Sequence, residues 1–179
     1  MSQFKDKRQV KLSDLKDFFY NREAVDLILS KGKDPVVYEV FEQTQPESDG
    51  QINFGVTLLY PGKVGREYHL TKGHYHVKET TAELYVGLLG EGIMLMQTKE
   101  EQFSSLPIKP GTIVYVPPFW AHRTVNVGKG KLAFFFAYPS DSGHDYGTIR
   151  QKGFVKLVIE DKSKPKIIDN PKFAGLKLR

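Results

Sequence analysis

The sequence contains no cysteine. That single absence removes disulfides, thiolate nucleophiles and cysteine-ligated zinc together. Nor is there an apolar run long enough to cross a bilayer, and residues 1–20 (MSQFKDKRQVKLSDLKDFFY) lack the apolar centre of a signal peptide. The expectation is a cytosolic protein with no membrane partner. Internal repeats and low-complexity segments are missing as well. The 179 residues carry a net charge of +5, but the lysines are spread along the whole chain. A nucleic-acid binder would gather them into a stripe or tail beside a reading motif, so no nucleic-acid partner is expected. A mildly basic chain does suit an anionic small-molecule substrate, because a positive potential raises its local concentration.

What is present points to strands. With 40% hydrophobic residues the chain can build one real core. Helical spacing is persuasive only over residues 13–32, where Leu15, Phe18, Phe19, Leu27 and Ile28 recur, Ser13 can cap and Gly32 can stop. Asn21 can divide that stretch into two short helices. From Pro35 onward, short runs rich in Val, Ile, Phe and Tyr (PVVYEVFEQ, INFGVTLLYPG, AELYVGLLGEG, IMLMQT, TIVYVPP, KLAFFFAYP, FVKLVIED) alternate with Gly, Pro and Asp turns. That texture predicts an all-β sandwich or barrel. No helical stretch between them is long enough for a parallel crossover. The chain therefore divides into an N-terminal helical extension (1–34), a barrel domain (35–161) and a C-terminal strand with a basic tail (162–179).

Within the barrel, residues 71–87 read TKGHYHVKETTAELYVG. On a strand, residues two apart share a face, so His74 and His76 would aim at one point while Tyr75 faces away. Glu83 can return on the next strand after a turn through Lys78, Glu79 and Thr80. His122 follows the strand TIVYVPP and its tight Pro117–Pro118 turn. Three imidazoles and one carboxylate suit a divalent first-row metal with positions left open for water or substrate.

The surroundings of these residues are the stronger signal. Six residues separate Glu83 from Gly90, while Gly111, Pro117, His122 and Asn126 follow one another at intervals of five, four and three intervening residues. These two stretches resemble the paired motifs of the cupins. The resemblance implies a small jelly-roll (double-stranded β-helix) barrel holding one metal through His74, His76, Glu83 and His122. Two departures stand out: most cupins have three or four residues where this chain has six between His76 and Glu83, and Phe119 stands where glycine is usual.

Further segments, from DPVVYEV (34–40) through NFGVTLLYPGKVG (53–65) to YPSDSGHDYGTI (138–149), resemble the cupin-type phosphoglucose isomerases. That resemblance implies a glycolytic and gluconeogenic enzyme interconverting glucose 6-phosphate and fructose 6-phosphate. It also implies a homodimer with one divalent metal per barrel, commonly iron(II), with manganese, nickel or zinc as alternatives. Thr57, Thr71, Gly73 and Tyr138 match positions around the substrate phosphate, and Lys72 beside them can add charge. Tyr38, Tyr85, His144 and Tyr146 match other active-site positions, and Thr81 stands where some members have a tyrosine near the substrate. Glu83 is the candidate base, with His144 or Tyr146 shuttling a proton. Tyr60, Tyr75 and Tyr115 read as core packing, His69 as a strand-surface residue and Trp120 as packing at the barrel mouth. Two other readings stay open: a cupin metalloenzyme of another type, such as a dioxygenase, and a non-catalytic sugar-binding cupin.

Overall fold

Runs of β-branched and aromatic residues favour a pleated, half-buried surface. They form strands in the computed structural model, which describes residues 4–174. In chain order these are β1 (Asp6–Lys11), β2 (Val36–Gln43), β3 (Ile52–Leu59), β4 (Lys63–Val64), β5 (Glu67–Tyr68), β6 (Glu83–Leu89) and β7 (Gly92–Gln97). They continue with β8 (Phe103–Ile108), β9 (Ile113–Val116), β10 (Ala121–Asn126), β11 (Leu132–Pro139), β12 (Lys156–Asp161) and β13 (Lys164–Asp169). The helices are α1 (Arg22–Leu29), α2 (Tyr146–Lys152) and α3 (Pro171–Ala174).

A six-stranded sheet, ordered β1-β2-β3-β11-β6-β9, provides one wall, and a three-stranded sheet, β10-β7-β8, provides another. The strand pairings are antiparallel throughout both. Alternation decides what faces inward. Along β3, Asn53, Thr57 and Leu59 are buried while Ile52 and Phe54 are exposed; along β11, Phe134, Phe136 and Tyr138 turn in. The two walls close over one apolar cluster, to which the second sheet gives Met94, Met96 and Val125. The all-β jelly-roll expected from the sequence is the observed architecture.

The N-terminal stretch is not only helical, as the sequence suggested. Residues Asp6–Lys11 form β1, which pairs antiparallel with β2 and extends the large sheet by one strand. Five of its six side chains are exposed, so the strand carries no apolar alternation to betray it. The helical stretch does divide at Asn21, whose side chain accepts from Ala24 N at 2.9 Å and caps α1. Ser13 is no cap. Its N–H and hydroxyl both donate to Asp34, while residues Ser13–Phe18 form a 3₁₀ turn. The loop after β11 holds a helix that the sequence did not announce, α2, capped by Asp145 through Thr148 N at 3.1 Å and Thr148 Oγ1 at 2.6 Å. Strand β13 follows residue 162, and the basic end beyond Ala174 lies outside the described residues.

A third sheet, β13-β12-β5-β4, braces the N-terminal elements from below. Its Glu67 is 5% exposed and accepts Tyr20 N at 2.8 Å. Burial pushes its pKa up from 4.5 to about 7, against the opposing pull of that hydrogen bond, Arg123 and Lys172. The native state therefore holds this proton more tightly than the unfolded chain. Its contribution to stability is full below the unfolded pKa and is lost as pH rises through about 7. Glu67→Gln keeps the acceptor for Tyr20 and should be more stable than the parent at pH 8 by about 1–3 kcal/mol, with no gain at pH 4.5. Urea unfolding at the two pH values reads the difference; an equal offset at both would show that Glu67 does not titrate in this window.

Candidate metal centre and surrounding pocket

Two extended segments meet where the motifs meet. His74 N donates to His122 O at 3.3 Å and His122 N to His74 O at 3.1 Å, so the reciprocal pair locks two candidate ligands side by side. His74 and Tyr75 form isolated bridges rather than a strand, yet the side chains of residues 74–76 alternate as the sequence predicts. Tyr75 turns away into the core at 3% exposure, with Lys99 Nζ 5.8 Å from its ring. Glu83 opens β6 on the facing wall, pointing inward at 3% exposure.

The four side chains converge. Glu83 Oε2 lies 2.9 Å from His122 Nε2, 3.1 Å from His76 Nε2 and 3.9 Å from His74 Nε2. Candidate ligand atoms of all four lie within 4.8 Å of one another. Buried polar atoms normally find partners. His74 Nε2 and His122 Nε2 nevertheless have no hydrogen bond, although the latter sits close to the carboxylate. Proximity without alignment is what ligands around a common centre show. Two donors each about 2.1 Å from an ion and at right angles to it stand about 3 Å apart. The residues present therefore fit a divalent ion with an N₃O donor set.

Protonation agrees. Burial, then the neighbouring His122 and His144, hold the His74 imidazole well below its ordinary value. Burial alone would raise Glu83, but the imidazoles, His122 foremost, outweigh it and keep the carboxyl well below the usual range. A neutral His74 beside an ionised Glu83 is the combination that metal ligation needs.

Thr81 has a structural part in this cluster. Its hydroxyl donates to Lys78 O at 2.7 Å, so at 2.8 Å from His76 Nδ1 it must accept. The Thr81 carbonyl lies 3.1 Å from the same nitrogen. Nδ1 therefore carries the proton and Nε2 keeps its lone pair toward Glu83, the usual outer-shell device for orienting a metal-ligating histidine. Thr81→Val removes one acceptor and retains the carbonyl, so it should weaken divalent-ion affinity about tenfold. Competition with a chromogenic chelator measures this, and an unchanged affinity would assign Thr81 to the turn alone.

The other site residues named from sequence gather around the same space. Tyr38, Thr57, Thr71, Gly73, Tyr85, Tyr138, His144 and Tyr146 line one pocket with His74, Glu83 and His122. His144 caps the cluster: its ring meets His74 edge-on at 4.3 Å and stacks on Tyr146 at 5.7 Å and 10°. Burial lowers its pKa to about 4, so the ring is neutral at pH 7. Burial raises the phenols of Tyr38, Tyr85, Tyr138 and Tyr146, which all keep their protons. Thr71 is tied to β10, its N donating to Thr124 O at 2.9 Å and its Oγ1 accepting from Thr124 N at 3.1 Å.

Among the lining residues that sequence reasoning missed, two are charged. Arg8, from the unforeseen β1, and Glu42, from β2, also line the pocket. Arg8 Nη1 donates to Glu42 Oε2 at 3.0 Å, and Tyr138 Oη donates to Glu42 Oε1 at 2.5 Å, so a tyrosine on β11 is held by an ion pair across the sheet. Lys72 does turn toward the pocket, with Nζ 5.7 Å from the Tyr146 ring.

Three other assignments change. His69 is not on the surface: it is 7% exposed, with Nδ1 3.2 Å from Tyr60 O and its ring filling the space over Gly62. Tyr115 is 57% exposed on the outer face of β9 instead of packing in the core. Tyr60 is half-buried, donating its hydroxyl to Glu39 at 2.7 Å. Tyr75 and Trp120 pack against the core as expected.

A jelly-roll barrel with three imidazoles and a carboxylate converging inside it defines the cupin fold with a candidate metal centre. A solved oxalate oxidase structure shares that fold with a TM-score of 0.51 at 16% identity, over 63% of this chain and 56% of that one. The chain thus spans just over half the length of that protein. The profile of the glucose-6-phosphate isomerase (GPI) family matches residues 9–172. Glucose-6-phosphate isomerase from Thermococcus onnurineus is 54% identical over 163 residues, which are 91% of this chain and 85% of the relative. That from Pyrococcus abyssi is 51% identical, covering 91% and 86%. The chain belongs to the glucose-6-phosphate isomerase family, in its cupin-type branch.

Proposed function

We propose that this protein interconverts glucose 6-phosphate and fructose 6-phosphate, a step shared by glycolysis and gluconeogenesis, with one divalent ion held by His74, His76, Glu83 and His122. The observation that carries the reading is the convergence of buried imidazoles, two without hydrogen-bond partners, in a pocket that also presents several hydroxyls, Lys72 and the Arg8–Glu42 ion pair. Iron(II) is the ion the family resemblance implies; manganese, nickel and zinc accept the same ligands. A divalent ion held there would supply Lewis-acid stabilisation of the negative charge that develops on substrate oxygen.

The chain's own groups supply the rest. Thr57, Thr71, Gly73 and Tyr138 surround the phosphate, with Arg8 and Lys72 adding positive charge. Tyr38 and Tyr85 present apolar rings with polar tips to the sugar. Neutral His144 takes the proton from one substrate hydroxyl and returns it to the other oxygen, so its own protonation is unchanged over the cycle. Tyr146, stacked on it, keeps its proton and holds the ring in place. Glu83 is the candidate base at C2 if hydrogen moves as a proton. Substrate deuterated at C2 distinguishes the routes: label lost to water supports that base, whereas complete transfer to C1 assigns Glu83 to ligation alone. The function itself is tested by a coupled assay for glucose 6-phosphate formed from fructose 6-phosphate. Turnover supports the reading, and none with any of the four metals would overturn it.

The reading includes a homodimer. Side chains on the outer face of the large sheet form an apolar row, Val56, Phe135, Val86 and Ile113, crossing four strands in register. Ile52, Phe54, Leu84 and Tyr115 lie exposed on the same face. A monomer rarely leaves so large a patch to water. Ile113→Lys combined with Tyr115→Lys should yield monomers by light scattering while the parent elutes as a dimer; a monomeric parent would contradict this.

A further inference from the structure

Behind β10, on the side opposite the catalytic pocket, the chain encloses a second cavity of about 250 Å³. Arg22, Arg123, Arg150, Lys152 and Lys172 line it, and Asp17, which pairs with Arg22 at 3.2 Å, is the one carboxylate among the lining residues. The rim cations are exposed, whereas Arg123 is 2% exposed. Its guanidinium stacks over Phe154 at 4.7 Å, and Nη2 donates to Lys72 O at 2.6 Å. Its Nε is buried and has no hydrogen-bond partner. Glu67 and Tyr38 offset part of the cost of burying this guanidinium, and with Nε still unpartnered an added anion would lower that cost further. Burial, and after it Arg22, lower the proton affinity of Lys172, with Glu67 and Asp17 pulling the other way.

We propose that this cavity is a second anion site, separate from the catalytic pocket, which takes a small phosphate-type polyanion on Arg123 with Lys152 and Lys172 closing over it. A planar guanidinium backed by an aromatic ring, with ammonium groups above, is suited to tetrahedral oxyanions. The same guanidinium holds the Lys72 carbonyl, and its Cβ packs against Gly73, so the anion's anchor also restrains the segment leading to His74.

The test is equilibrium dialysis with labelled pyrophosphate, comparing the parent with Lys152→Glu/Lys172→Glu at 0.15 M salt, where the Debye length of about 8 Å limits long-range effects on the catalytic pocket. The parent should bind one more equivalent per subunit than the variant, while KM and kcat measured without pyrophosphate agree within about twofold. Equal binding by both proteins would overturn the proposal, as would loss of binding together with a raised KM. Both lysines are exposed, and thermal unfolding checks the fold. Should the charge reversal destabilise it, the Lys152→Ala/Lys172→Ala pair gives the same comparison. The binding count does not depend on isomerase activity, so it stands or falls apart from that assignment.

Discussion

Glu83→Gln should lower kcat/KM for fructose 6-phosphate about a thousandfold and leave the barrel folded. Glutamine preserves the volume at a position 3% exposed and keeps one oxygen facing the imidazoles, so packing survives. It removes the negative charge that draws a divalent ion to His74, His76 and His122. An ion acting as Lewis acid contributes several kcal/mol to a transition state, and each 1.36 kcal/mol is tenfold in rate. The same variant should retain less than one ion per subunit after dialysis, as elemental analysis would record. Near-parental activity would mean that the carboxylate is neither ligand nor base.

Gly73→Ala should cost about 2–4 kcal/mol of stability and raise KM for the sugar phosphate about tenfold. Two effects add. Gly73 has φ +70°, where an L-residue loses about 1–2 kcal/mol. A Cβ there would also stand 2.7 Å from Phe154 Cε2 and 3.0 Å from both Arg123 Cβ and His122 O. Phe154 and Arg123 are buried, so the clash must be relieved by moving the segment that carries Thr71 and His74. Gly111→Ala is the control: φ is +83° but nothing lies within 4 Å of its Cβ, so only the backbone cost applies. Thermal melts of the two variants with KM measured beside them separate the effects. A KM rise shared equally by Gly111→Ala would refute the specific role of the Gly73 contact.

Legibility followed chemistry that repeats at short range. The convergence of His74, His76, Glu83 and His122 could be read because the two histidines alternate on extended backbone, and because two motifs bring Glu83 and His122 into the same pattern. The departure at Phe119 proved real and local: this residue adopts φ +70°, the conformation for which glycine is favoured, and its N–H is held by Glu79 O at 2.7 Å. Strand β10 was invisible as a strand. Its sequence, AHRTVN, is polar, yet all six residues are buried: His122 joins the candidate metal cluster, Ala121 and Val125 join the apolar core, and Arg123 lines the second cavity. The exposed β1 was hidden for the opposite reason, and with it went Arg8 and its pairing to Glu42. His69 and Tyr115 exchanged their expected places, since single aromatic side chains carry no period from which a face can be inferred.

The most direct measurement is an anaerobic titration of metal-stripped protein with iron(II), following isomerase activity and bound ion together. Activity should rise in proportion to bound iron and level off at one ion per subunit, with His122→Ala recovering neither. Full activity in the stripped protein, or parental binding and activity in His122→Ala, would contradict a catalytic metal centre at His74, His76, Glu83 and His122.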